Sequence, residues 1–205
     1  WYSEIKQPFA VQNRASLQVT GGNEGVKYLL SLGWQDQGSE FKSMNLNYNQ
    51  FNLRSNVNVN LTQHISVGAN ISAIVSERKG PWENIGTIFT NTWADPTLVA
   101  RFSTGELGPG RYQESPLLLP DRGWLKVSNL PINSTFTSTI MIPWVKGLKI
   151  DASFNYDIRN QFQKRWVIPY FFYERNPVTG ELERKQGTGG EGKGAVEELT
   201  DTYNK

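Results

Sequence analysis

Residues 51–61 alternate side chain by side chain: Phe51, Leu53, Ser55, Val57, Val59 and Leu61 interleave with Asn52, Arg54, Asn56, Asn58 and Asn60. A period of two suits an extended strand with one apolar face and does not suit a helix, whose faces recur about every 3.6 residues. After Thr62, Gln63 and His64 the alternation resumes, with Ile65, Val67, Ala69, Ile71, Ala73 and Val75 against Ser66, Gly68, Asn70, Ser72 and Ile74. The two runs predict one long hairpin with a single apolar face.

The same grammar returns at Leu148, Ile150, Ala152, Phe154, Tyr156 and Ile158, with residues 132–142 as the predicted partner across a turn at 143–147. Two weaker segments, 15–20 and 26–35, flank a turn at 21–25 and bring the expectation to about six strands. Soluble strands run about 5 to 6 residues, whereas tilted membrane-spanning strands need roughly 9 to 11, and four of these segments reach the longer range. The polar faces are mostly Asn and Ser, which suits a crowded, wet lumen. Periodicity alone leaves a soluble β-sandwich open as the competing reading.

Loop lengths discriminate. The connections are short at 21–25, long at 36–47, short at 62–64, very long at 76–131, short at 143–147 and long after Asn160. Outer-membrane barrels sort their connections in this way, with short periplasmic turns and long extracellular loops, whereas a sandwich has no reason to. The expected fold is therefore all-β, part of a large antiparallel transmembrane β-barrel, with 76–131 as a long extracellular loop. The smallest such barrels use about eight strands, so about six would leave open edges, and the rest of the wall is expected from a longer chain.

Composition removes several alternatives. With 205 residues, a formal charge of +2 and basic and acidic residues intermixed, the chain lacks the electrostatic footprint of a nucleic-acid binder. It has no cysteine, so disulfides, thiol nucleophiles and thiolate metal sites are excluded together. The single histidine, His64, falls in a predicted turn and cannot make a two-histidine metal site. No long apolar run marks a transmembrane helix, and a mean hydropathy of −0.50 is compatible with alternating strands. The first eight residues have neither a basic start nor an apolar core, so they do not read as a signal peptide.

The wording of these segments, beyond their periodicity, resembles the SusC/RagA group of TonB-dependent transporters of Bacteroidetes-like bacteria. NRASLQVTGGNEGVKYLLSLGWQDQ, residues 13–37, looks like a barrel signature of that family: a small-residue strand, a Gly-Gly turn, a Tyr-bearing strand and a Gly-aromatic-x-Asp-Gln ending. FNLRSNVNVNLTQHISVGANI, residues 51–71, and GLKIDASFNYD, residues 147–157, are similar to further family segments. The resemblance implies a barrel of about 22 strands filled by an N-terminal plug. It further implies a SusD-like surface lipoprotein as lid and energy from the TonB complex, with outer-membrane lipid around the wall and a bulky nutrient, glycan or peptide, as substrate. No plug or TonB-contact segment is read in these residues, and Lys205 differs from the aromatic barrel terminus usual in the family. Localisation in the bacterial outer membrane, no cofactor and no enzymatic activity in this segment complete the expectation.

Candidate chemistry is sparse. GTGGEGKG at 187–194 has the G-x-x-x-x-G-K spacing of a phosphate-binding loop, but Gly194 stands where a hydroxyl is needed, so a flexible loop is expected. Asp95, Glu106, Glu114 and Asp121 in the long loop show no spacing that singles out a glycosidase-like pair. Asp36 and Glu40 supply too few oxygens for calcium. The long loop also carries Trp82, Trp93, Tyr112 and Trp124, with Phe89 and Phe102 nearby. These rings fit either a small loop core or contact with a ligand or partner. Trp34, Trp144, Trp166, Tyr170 and Tyr173 lie near predicted strand ends, where an aromatic girdle would place them.

Overall fold

The computed structural model describes residues 2–42, 46–93, 95, 97–187 and 196–204. A seven-stranded sheet runs as a simple meander: β1 (Gln12–Gly22), β2 (Val26–Gln37), β3 (Asn47–Asn60), β4 (Ile65–Pro81), β5 (Gly123–Met141), β6 (Lys149–Val167) and, after a small hairpin of β7 (Phe171–Arg175) with β8 (Leu182–Gln186), β9 (Val196–Asn204). Every neighbour pair is antiparallel, and the sheet is open at β1 and at β9. Beyond the small β7–β8 hairpin no further sheet is present among the described residues, which disfavours the sandwich reading.

Register turns the alternation into two faces. One row across six strands reads Leu17, Leu32, Leu53, Ala73, Ile132 and Ile158. The neighbouring row on the opposite face reads Gln18, Ser31, Arg54, Ser72, Asn133 and Asp157. Slipping any strand by one residue would exchange the rows, so the apolar pattern itself fixes the pairing. On the apolar face Phe136 and Phe154 stack across β5 and β6 with centroids 6.5 Å apart. The polar face is hydrogen-bonded along itself: Arg14 donates to Gln35 at 3.1 Å, and the Gln50 amide to Asn52 at 2.6 Å.

Short turns gather at one end. In the first, Asn23 Oδ1 accepts from the Gly25 and Val26 amides, and Gly22 (φ +151°) sits so close to the Val26 carbonyl that a Cβ there would lie 2.3 Å from it. In the second, the Thr62 hydroxyl accepts from the His64 and Ile65 amides, leaving His64 an exposed turn residue. Residues 142–148 make the third, closed by the Leu148 carbonyl accepting from the Ile142 amide at 3.0 Å.

The strands outrun the apolar periodicity. β4 continues to Pro81, β5 starts at Gly123 and β6 runs on to Val167, so the long connection is 82–122 and not the whole of 76–131. The extensions carry Glu77, Lys79, Lys126 and Lys164 at positions where the apolar face would otherwise continue, which hides them from a search for alternating apolar residues. β9 was not legible either, because its row on that face is Glu197, Leu199, Asp201 and Tyr203.

Burial is concentrated away from the sheet. The core is Ile5, Ile88, Leu119, Tyr170 and Phe172, with Phe41, Leu46, Leu117 and Leu118 against it, all contributed by the segments at the long-connection end. Within that cap the short helix α1 (Tyr2–Ile5) is tied to 39–42 by the Lys42 amide donating to the Ile5 carbonyl. The helix α2 (Ile85–Asn91) starts where the Asn84 side chain accepts from the Gly86 amide at 2.7 Å, and it buries Ile88 and Asn91.

Candidate functional site

The cap over the long-connection end is where the chain gathers non-repeating side chains, and it is built around Arg122. Its guanidinium is 8% exposed and donates to the Glu83 carboxylate at 3.1 Å, itself 15% exposed. The same group lies 4.9 Å from the Trp82 ring centroid and 5.4 Å from that of Tyr170, while Arg165, on the polar face of β6, approaches Trp82 at 6.0 Å. Tyr170 donates its hydroxyl to the Gln113 carbonyl at 2.8 Å, and the Arg122 carbonyl accepts from the Ile168 amide. A buried ion pair between aromatic faces thus ties the 82–122 connection to the one after β6. Neither Arg122 nor Glu83 has a spacing that marks it in the sequence; they meet only in three dimensions.

Among the described residues no ring contact joins any two of the four aromatic residues expected to serve ligand or partner contact. Trp82 is part of the Arg122 clasp and partly buried. Trp124 belongs to β5, on the apolar-face side of the sheet and opposite Trp166, with the Lys164 ammonium 5.9 Å from its ring. Trp93 and Tyr112 remain on the cap surface, each 72% exposed. Trp93 meets Phe89 edge to face at 6.3 Å. Tyr112 has a left-handed backbone (φ +53°), as does Gln113 (φ +65°), an arrangement that costs roughly 1–2 kcal/mol per residue and is held by the Tyr170–Gln113 bond.

The girdle expectation needs correction at two positions. Trp34 and Trp166 stand on the apolar-face side near the long-connection end, and Trp144 is in the third short turn. Tyr170 and Tyr173 lie past the end of β6: Tyr170 is buried in the cap core, and Tyr173 in β7 donates its amide to the Leu107 carbonyl. Their proximity to a strand end in sequence reflected the cap, whose own core draws on aromatic rings.

The acids each have separate surroundings. Asp95 accepts from the Thr97 amide and hydroxyl, which hold its pKa below the ordinary value. Glu106 is lowered by the Thr104 hydroxyl and by its own backbone amide. Glu114 accepts from Asn91 at 3.0 Å, and Asp121 sits in the turn Leu119–Arg122. Asp36 accepts from the amides of Asn47 and Asn49, and Glu40 engages Gln7 through its backbone carbonyl. Of the phosphate-loop-like stretch, only Gly187 is described; its amide donates to the Tyr170 carbonyl, and 188–194 lie outside the described residues.

No protein-family model and no curated protein sequence matches the chain. Solved structures do. The chain is similar to part of the RagAB peptide importer in its closed-closed state, with a TM-score of 0.60 and 18% identity over 99% of this chain and 22% of that one. It is likewise similar to part of a second structure, of the RagAB peptide transporter, with a TM-score of 0.56 and 17% identity over 94% of this chain and 21% of that one. At such identity the likeness is one of fold. The chain spans about a fifth of the length of the chains it matches.

Proposed function

We propose that this chain forms a stretch of wall, with the loops above it, in a SusC/RagA-type TonB-dependent transporter of a bacterial outer membrane. On this reading it helps import peptides, glycans or similarly bulky nutrients and performs no catalysis. The observation that carries the proposal is the uncovered apolar face. Leu17, Phe51, Val75 and Phe154 are each more than half exposed, and the rows containing them run from β1 to β6. Monomeric soluble proteins rarely leave more than a few hundred Å² of contiguous apolar surface open. From Ile65 to Val75 the strand advances roughly 33 Å, or about 25 Å along a membrane normal at a tilt of about 40°, which matches the apolar band of an outer-membrane barrel.

The other features follow from that placement. The polar rows face a lumen, the three short turns face the periplasm and the cap lies outside. Trp93 and Tyr112 are offered there to a SusD-like lipoprotein lid or to arriving substrate, with Trp82 behind them as the anchor of the cap. Coupling to TonB belongs to other parts of a longer chain. The likeness to the RagAB structures supports the reading at the level of fold, and a peptide importer among structures of this fold is in keeping with peptides as a cargo.

Fractionation of the full-length protein tests the proposal. It should be recovered with outer membranes, require detergent for extraction and migrate differently in a gel before and after heating. Recovery as a soluble species without detergent overturns it.

A further inference from the structure

On the apolar-face side, just beyond the last apolar row, the strands carry charge. Val75 is followed on that face by Glu77 and Lys79, and Leu130 is preceded by Ser128 and Lys126. Register places Asn47, Lys79, Lys126 and Lys164 side by side on four consecutive strands. Lys126 and Lys164 are direct cross-strand partners, an opposition of like charges that is unfavourable unless an anion relieves it. Glu77 serves both Lys79 (3.4 Å) and Lys126 (2.7 Å), while Lys164 pairs with Glu197. Three ammonium groups therefore share two carboxylates. Asp36, behind them, is capped by the amides of Asn47 and Asn49.

Of these groups Asn47, Glu77, Lys79 and Lys126 line a cavity of about 890 Å³ together with Asn49 and Trp124, six residues of the face that continues the apolar rows, and Leu46, Gly80 and Leu125 complete its lining. We infer that this cavity docks the phosphate-bearing headgroup of an outer-leaflet lipid whose chains lie on the apolar rows below it. The inference rests on the membrane reading above. Lys79 lies ~13 Å along the strand past Val75, about 10 Å along the normal beyond the hydrocarbon edge, from where a lysine stem can reach back into the headgroup layer. Two ammonium groups give charge-assisted hydrogen bonds to phosphate oxygens.

The test uses the full-length protein in non-ionic detergent, with a bis-phosphorylated glucosamine-based lipid and its dephosphorylated counterpart as probes and bound lipid read by native mass spectrometry. The phosphorylated lipid should bind at least about tenfold more tightly than its counterpart, and Lys79→Gln with Lys126→Gln should remove about that factor. Glu77→Gln, which deletes the competing carboxylate, should strengthen binding, an outcome that a merely structural ion pair does not produce. Lys149→Gln, in the third-turn region on the polar face, is the control and should bind as the parent does. Gel mobility before and after heating identifies any variant that fails to assemble, in which case Lys79→Gln alone replaces the pair. Equal binding of the two lipids, or unchanged binding in the lysine variant, overturns the inference while leaving an assembled membrane protein intact; recovery as a soluble protein overturns the membrane reading first.

Discussion

Trp82 and Trp93 belong to one connection, yet alanine at each removes something different. Trp82 is held between the Arg122 and Arg165 guanidinium groups, so Trp82→Ala opens a hole beside a buried ion pair, a change that typically costs about 3–5 kcal/mol locally. The cap should become sensitive to protease added to whole cells. Trp93→Ala with Tyr112→Ala removes two rings that are each 72% exposed, so protease resistance should persist while lid association or nutrient uptake falls. Normal uptake in the double variant would reject the contact role for those rings. Within the wall, Val57 faces Tyr28 and Ala69 on the apolar side, and its neighbour Asn58 lies on the polar side. Val57→Arg should cost roughly 2–4 kcal/mol if that face meets the bilayer midplane, whereas Asn58→Arg should be better tolerated. Equal loss of heat-modifiable barrel in the two variants would contradict the assignment of faces.

At the scale of elements, the sorting of connections makes a prediction about sidedness. Gln63 lies in a short turn and Ser103 in the 82–122 connection, and the chain has no cysteine of its own. A cysteine introduced at Ser103 should react with a membrane-impermeant maleimide on intact cells, and one at Gln63 should not; labelling at Gln63 alone would invert the topology. What could be read from the sequence follows the same division. β3 and β4 were legible because their apolar residues repeat at every second position along one face. β9 and the outer ends of β4, β5 and β6 were not, since backbone pairing continues there while the side chains meet polar surroundings and lose the signal. The β7–β8 hairpin, with Arg184 stacked 3.8 Å from the Phe171 ring and Lys185 bonded to Glu174, is held by cross-strand pairs that no period reveals. The Arg122 clasp was hidden for a different reason: its partners stand far apart in sequence. The aromatic residues stood out in the sequence as a class, but only the fold separates Trp82 in the clasp from Trp124 on the wall.

For the molecule as a whole, the open edges at β1 and β9 and the bare apolar face mean that these residues do not make a finished surface in water. Residues 1–205 produced alone in detergent-free buffer should aggregate, and a monodisperse soluble monomer in sedimentation would contradict the reading of that face. Contact distances along the chain add a temporal order. Each pair in the meander from β1 to β4 joins strands that follow one another directly, β1 to β2 and β3 to β4 through short turns and β2 to β3 through residues 38–46, so those pairs need close only modest loops to form. The cap is the opposite: Ile5, Ile88, Leu119 and Phe172 must all be present before its core exists, so it waits for almost the entire stretch to be delivered. Wall hairpins can therefore be handed over one by one as the chain arrives, while the cap closes last over their outer ends.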